Sequence, residues 1–479
     1  MRAKDIKQAV SDHTHEITSN LSKLVRIISI EDPLSASEGQ PFGKGCNEAL
    51  EFILDLAKGM GLRTFNNDGY GGFAEWGDGD AVVCAFTHLD VVPEGTGWRY
   101  PPFGGVVSDG RVYGRGTVDN KGPAITCLYA LKVLKELGLE SKSRMRIYFG
   151  CCEENSMKDL PKYLDRFGSP DLGFVPDSQF PLAYCERGVF FLRAYADAIA
   201  SDQNIRLVSF EGGKARNMVP DYAYARLEAK NAIIIDRIIS KFESYISTSN
   251  AKITIRQSGL VIELMSFGVT AHANMPEEGI NAVTQLAKLL DVFDLNDRCG
   301  EIIRFIAQNI GDEINGGSLG IDLASETSSL TFNLSTLSIK GGIFEAVTNI
   351  RFPAEFTPEY IYEISQAAFK RLDIDLSIID MLPAVLLDKE SDYVQLLYKI
   401  YREITGRSES MKVAGATYAK YIENVVPFGA IFPGTIDYCH QVDESVSIQE
   451  LILCCEIYSH ALYRLSQLAG EKNQLESNS

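Results

Sequence analysis

Long apolar runs are missing from this sequence. No stretch approaches the roughly 20 apolar residues that cross a bilayer, so a membrane-spanning role is not expected. The opening segment, MRAKDIKQAVSDHTHEITSNL, mixes charged and apolar residues at helical spacing and lacks the apolar core and small-residue cleavage site of a signal peptide. Positive charge is also short: 46 Lys and Arg face 64 Asp and Glu, a net charge of −18. A general binder of nucleic acid or anionic membrane needs a basic surface, so neither partner is expected. Ten cysteines are too few for a disulfide framework in 479 residues, and none shows the paired CxxC spacing of a structural zinc site. Cys84, Cys127 and Cys439 in apolar runs, and the adjacent pairs Cys151-Cys152 and Cys454-Cys455, read as buried reduced thiols that pack. The expected location is cytoplasmic.

What the sequence does hold is a large core's worth of apolar residues, 45%, with 23% charged. Its length suggests roughly three domain-sized units. From Ala81 to Pro176 the pattern reads strand, loop, helix, strand, loop, helix, strand: AVVCAFTH, then PAITCLYALKVLKELG, RMRIYFGCC and FVPD. Such alternation predicts a mainly parallel α/β sheet with helices on both faces, whose sites lie at the carboxyl ends of the strands. From Glu186 to Leu386 the texture becomes α+β, with strand-like runs such as VFFLRAYAD, YAYARLEAK and EAVTNIRFP, and helices near Asn281–Phe293 and Pro358–Leu372. After that the α/β texture returns, with a helix at Asp392–Thr405, a strand at Val425–Phe432 and a closing helix from Ile448 to Leu468. The expected organisation is one α/β domain, residues 1–185 and 387–479, interrupted by an insert at 186–386.

Histidine is scarce, at six. His13, His15 and His460 fall on helical patterns and suit solvent or packing roles. His88 in THLDVVP, His272 in FGVTAHANMP and His440 in TIDYCHQVDE each stand where a structured run meets a turn. Carboxylates share that placement: Asp90 two residues after His88, Asp119 in GRGTVDNKGP, Glu153 and Glu154 after RMRIYFGCC, and Asp177 closing FVPD. A lone HxD is ordinarily a surface pair, and two glutamates after a strand are ordinarily solvated. Together, two histidines, three carboxylates and a spare acid form an inventory that suits two divalent cations.

These fragments, in this order, resemble the M20 metallopeptidases, and within them the bacterial PepV-type (Xaa-His) dipeptidases, over essentially the whole chain. The resemblance implies a zinc-peptidase-like α/β fold interrupted by a large α+β lid. It implies that His88 and Asp177 hold one metal, Glu154 and His440 the other, and that Asp119 bridges them through a cis peptide to Asn120. Asp90 would orient the His88 ring. Glu153 would be the general base, taking a proton from the attacking water and returning it to the leaving amine. In the lid, His272 would stabilise the oxyanion, while Asn217 in GGKARNMVP and Arg351 in TNIRFP would grip the substrate, Arg351 by a bidentate contact to its carboxylate. The segment KVAGATYAKYIENVVPFGAIFPG matches the family's glycine-rich carboxylate pocket and puts Gly415, Thr417 and Tyr418 in substrate binding, with Ala414 and Ala416 where that pattern favours glycine.

The expected activity is therefore two-metal hydrolysis of unblocked dipeptides. An N-acyl-amino-acid deacylase on the same scaffold and a non-catalytic metal-binding relative stay open. Zinc is the expected ion, with manganese or cobalt as alternatives. A lid this long could supply in one chain what shorter-lid relatives obtain by dimerising, so a monomer is expected.

Overall fold

A computed structural model describes residues 3–201, 204–414 and 416–476. The chain divides into two compact units: residues up to Cys185 together with those from Leu387 onward, and Glu186–Leu386. No helix among the described residues is long and apolar enough to cross a membrane.

The first unit is built on a six-stranded sheet in the order Arg63–Asn66, Gly71–Trp76, Arg144–Gly150, Val82–His88, Leu172–Val175, Val425–Pro427. The last four run parallel, and the first two add on antiparallel, so the sheet is mixed with a parallel heart. Every residue of Val82–His88 after the first is buried. Successive side chains on a strand point to opposite faces, so helices must cover both sides of it. Helices Lys121–Glu136 and Ile448–Glu476 both pack on this strand. The parallel strands all end at one edge: His88 pairs with Gly150, which directly precedes Cys151, while Asp177 follows Leu172–Val175 by two residues. The histidine and carboxylates thus arrive together because the apolar runs that carry them stop together.

A small sheet of Val106–Ser108, Arg111–Tyr113 and Ser445–Ser447 ties the late His440 segment to the loop that carries Asp119. The expected strand Val425–Phe432 is interrupted. It leaves the main sheet at Pro427 and resumes as Ala430–Ile431, paired with Ser178–Gln179. Gly429 makes this possible: its φ is +78°, and a Cβ there would stand 2.2 Å from the Phe180 ring. All ten cysteines are free thiols, nine of them buried, while Cys439 lies half-buried in the loop before His440 rather than inside an apolar run.

The second unit is an eight-stranded, wholly antiparallel sheet over its own hydrophobic core. Its order is Lys252–Ser258, Val261–Phe267, Tyr222–Ala229, Ile205–Gly212, Thr331–Lys340, Ile343–Phe352, Gly188–Asp197, Asp375–Leu382. The two halves match. In each, the chain runs from the central strand to the next one out, crosses a helix (Ala232–Thr248 or Pro358–Lys370) and returns as the edge strand. The remaining strand of the second half is Gly188–Asp197, taken from the start of the unit. Helices Ala282–Asp291 and Arg298–Asn309 pack against one another.

Replacing Gly429 by alanine should test the break in the late strand. Gly138, also at positive φ (+62°) but with open space around it, isolates the backbone strain. Gly138→Ala should cost about 1–2 kcal/mol. Gly429→Ala should cost about 1–3 kcal/mol more, because the added methyl overpacks the Phe180 ring. Urea unfolding monitored by circular dichroism reads the difference, and equal losses would contradict it.

Candidate metal centre

His88 is buried at the end of its strand. Its Nδ1 lies 3.0 Å from the Asp90 carbonyl oxygen and 3.4 Å from Asp90 Oδ1. Its Nε2 lies 3.0 Å from Asp119 Oδ1 and 3.6 Å from Asp177 Oδ2. The other Asp119 oxygen lies 3.0 Å from His440 Nε2, which is also 2.9 Å from Glu154 Oε2. Asp119 precedes a cis peptide to Asn120. The Asn120 side chain donates to the Pro176 carbonyl and accepts, at 3.4 Å, from the His88 amide, joining two strand ends. Asp90 does more than face the His88 ring: its two carboxylate oxygens accept the backbone N–H groups of Glu153 and Glu154 at 3.1 and 3.0 Å. One buried acid therefore orders both glutamates.

Two overlapping donor groups result, His88–Glu153–Asp177 and His88–Asp119–Glu154, each with ligand atoms within 4.8 Å of one another. Glu153 thus stands within coordinating range as well as in the place of a base. Oε1 of Glu153 and Oε1 of Glu154 are buried without a hydrogen-bond partner among the described residues. Ionised oxygens so placed need a cation, and imidazole nitrogen with carboxylate oxygen is a donor set that zinc and its neighbours accept. The residues fit divalent metal.

The electrostatics show the same crowding. Burial pushes the Glu153 carboxyl well up, His88 opposing and the carboxylates of Asp177, Glu154 and Asp119 adding to it. Glu154 is pushed up to about 7 by burial and by Asp119. Burial works against charge on His440, yet Glu154 and Asp119 carry it up to about 12. Burial also works against Asp119, yet His440 and His88 hold it below the ordinary carboxylate range.

The three lid residues singled out in the sequence are joined within their own unit. His272 pairs by a β-bridge with Met218, and Asn217 O accepts from the Ala273 amide at 2.9 Å. His272 Nδ1 accepts from the Asn274 amide at 3.1 Å, so the neutral ring carries its proton on Nε2. Arg351 is buried, donates from Nε to Asn349 Oδ1 at 3.1 Å and has no ion pair among the described residues. Burial, with Arg187 nearby, pulls it down to about 9. Asn349 in turn donates to the Arg216 carbonyl, beside Asn217. Arg187 donates to both oxygens of Asn274. Arg187, Asn274 and Asn349 escaped sequence reasoning, because side chains that hold other side chains carry no periodic signal.

Tyr418 and Thr417 need correction. Tyr418 is fully buried, and its hydroxyl donates to Asp159, the carboxylate that also accepts the Cys151 and Cys152 amides. The short helix Tyr418–Tyr421 turns its ring inward, where it braces the turn leading to Glu153. Thr417 is buried, and its hydroxyl caps the same helix by accepting the Ala419 amide. Gly415 lies outside the described residues. The vicinal thiols are free and buried, and burial pushes Cys152 up to about 12 and Cys151 well above its ordinary value.

Residues 85–464 match the sequence profile of peptidase family M20/M25/M40. A protein of Bacillus subtilis (strain 168) named "Putative dipeptidase YtjP" is 32% identical over 461 residues, 94% of this chain and 97% of its own length. Among solved structures, human carnosine dipeptidase 1 superposes with a TM-score of 0.60 at 15% identity, covering 98% of this chain and 99% of that one. The dipeptidase Dug1p of Saccharomyces cerevisiae does so with 0.59 at 14%, covering 97% and 99%. At those identities the likeness is one of fold.

The raised groups give a signed pH dependence. Glu154 moves from 4.5 to about 7 and His440 from 6.5 to about 12, so across both windows these two groups hold more protons in the folded metal-free chain than in the unfolded one. The stability these two groups contribute must then fall as pH rises from about 5 to about 9. Divalent ions displace those protons, so the melting-temperature gain on adding zinc or manganese should be larger at about pH 8 than at about pH 6. A gain that shrinks with rising pH would contradict this assignment.

Proposed function

The chain belongs to peptidase family M20/M25/M40 and is a metallopeptidase of that family, and from that premise we propose that it is a two-metal dipeptidase of the PepV type acting on unblocked dipeptides. The observation that carries the reading is the convergence of His88, Asp119, Glu153, Glu154, Asp177 and His440, with one buried oxygen each of Glu153 and Glu154 lacking a hydrogen-bond partner among the described residues. The dipeptidase names of relatives matching over nearly the whole chain, and an insert of the size that marks the PepV branch, support the substrate class.

In this reading His88 and Asp177 would hold one cation and Glu154 and His440 the other, with Asp119 shared between them. When bound, the two cations supply Lewis acidity and make water acidic enough to yield hydroxide near neutral pH. Asp90 fixes the His88 ring and the two glutamate amides. Glu153, ionised beside the cations, accepts the proton of the attacking water and delivers it to the leaving amine. His272 donates its Nε2–H to the oxyanion, a role its Nδ1 contact with the Asn274 amide favours. Arg351 and Asn217 take the substrate's carboxylate end, Arg351 supplying a buried guanidinium with no acid of its own among the described residues. A lid sheet with two matching halves supports a monomer, in which one chain supplies what a dimer's second lid would.

Restoring zinc, manganese or cobalt to chelator-stripped protein should bring back hydrolysis of free dipeptides, with N-acetyl- and N-succinyl-amino acids poor substrates. A preference for the N-acyl compounds would replace the dipeptidase reading with the deacylase one. Glu153→Gln should lower kcat about 10²–10⁴-fold. Unchanged turnover would remove Glu153 from its role.

A further inference from the structure

Among the described residues of the first unit, Glu444 is the most completely engaged acid. It is fully buried, and its carboxylate accepts five hydrogen bonds. Oε1 takes the amides of Gly116, Val118 and Asp119 at 3.0, 2.9 and 3.2 Å, and Oε2 takes the Gly116 amide at 3.0 Å and Arg115 Nη1 at 2.8 Å. The loop Gly114–Asp119 therefore curls its N–H groups into an anion-binding nest, and the anion it holds is the chain's own side chain. Gly116, at φ +90°, permits the curl: a Cβ there would press on Lys121 and Val91 at 3.0 Å. Arg115 is buried too, and it reaches back to the Gln441 carbonyl at 3.1 Å and to the Pro93 and Glu94 carbonyls at 3.3 and 3.4 Å.

The placement has a geometric consequence. Glu444 lies four residues beyond His440, and Gln441 one residue beyond it, while Asp119 closes the loop that Glu444 grips. One buried ion pair thus fastens both chain segments whose side chains meet at the 3.0 Å contact between Asp119 and His440. We infer that Arg115 and Glu444 are positioning residues for the second cation: they set the spacing between the shared carboxylate and His440 before metal arrives, so that the site is preformed. The inference rests on the metal-centre reading above. Neither residue touches substrate or metal.

The test uses manganese on the full chain. In the wild type, calorimetry should count two ions, and the electron paramagnetic resonance spectrum should show the exchange coupling of a close pair. Glu444→Gln keeps the shape but turns an N–H₂ toward backbone N–H donors; it should weaken one of the two ions about 10–100-fold. At limiting manganese the coupled spectrum should give way to that of a single ion, and excess manganese should restore turnover with KM changed less than about twofold. Arg115→Lys keeps a cation beside Glu444 and serves as the second variant should Glu444→Gln fail to fold; it should weaken the same ion by a smaller factor. A merely structural clamp would lower the melting temperature without moving either ion. Wild-type affinities and the coupled spectrum in a folded variant of either residue would overturn the inference. A wild type that itself takes fewer than two ions would instead fail the metal-centre reading, before any variant is compared.

Discussion

Asp119 offers one carboxylate to two imidazoles, with an oxygen 3.0 Å from His88 Nε2 and the other 3.0 Å from His440 Nε2. Much of the first unit exists to make that sharing possible. The two histidines lie 352 positions apart (440 − 88 = 352), one ending the central parallel strand and one in a loop before the closing helix. Bringing them to one carboxylate gathers Glu153, Glu154 and Asp177 as well, and ionised acids in a low-dielectric setting repel one another unless cations intervene. The backbone answers with fixed hydrogen bonds: Asp90 holds the amides of both glutamates, Asn120 links the His88 and Pro176 strand ends, and Glu444 holds the amide of Asp119 itself. The ligands keep their places because the groups behind them are fully occupied.

Legibility in the sequence followed exposure to pattern. Strands such as Val82–His88 and Arg144–Gly150 were readable because apolar runs buried on both faces leave an unmistakable stretch, and a polar residue at the stop marks the edge of the sheet. The helix Asp392–Thr405 was readable, since its apolar positions keep helical spacing and Gly406 ends it in the left-handed region. Helix Ala232–Thr248 was not, because AIIIDRII is β-branched and reads equally as strand; Asn231, capping the Ile234 amide, decides it. Helix Arg298–Asn309 carries Gly300 in its first turn, which weakens the signal, yet a Cβ there would strike the Leu295 carbonyl oxygen at 1.8 Å. The edge strand Asp375–Leu382 is mostly exposed and so lacks alternation.

Within the candidate site the same rule holds. Side chains at strand ends were visible as motifs, whereas Arg115 and Glu444 were not. Their partnership spans 329 positions, and nothing local in GRG or VDE announces it. Tyr418 misled for the converse reason: a tyrosine in a segment that resembles a ligand pocket looks available, but its hydroxyl is committed to the buried Asp159. In the lid, the match between the two halves of the sheet emerges only from strand order, since one strand of the second half comes from the beginning of the unit rather than its end.

The claim on which the account turns is that two cations are held by one shared carboxylate. Dialysis of the metal-free protein against zinc, followed by elemental analysis of wild type and Asp119→Asn, tests it most directly. The account predicts two ions per wild-type chain and the loss of both sites' tight binding in the variant, because Asp119 serves each. One ion in the wild type, or two tightly held ions in Asp119→Asn, would contradict it.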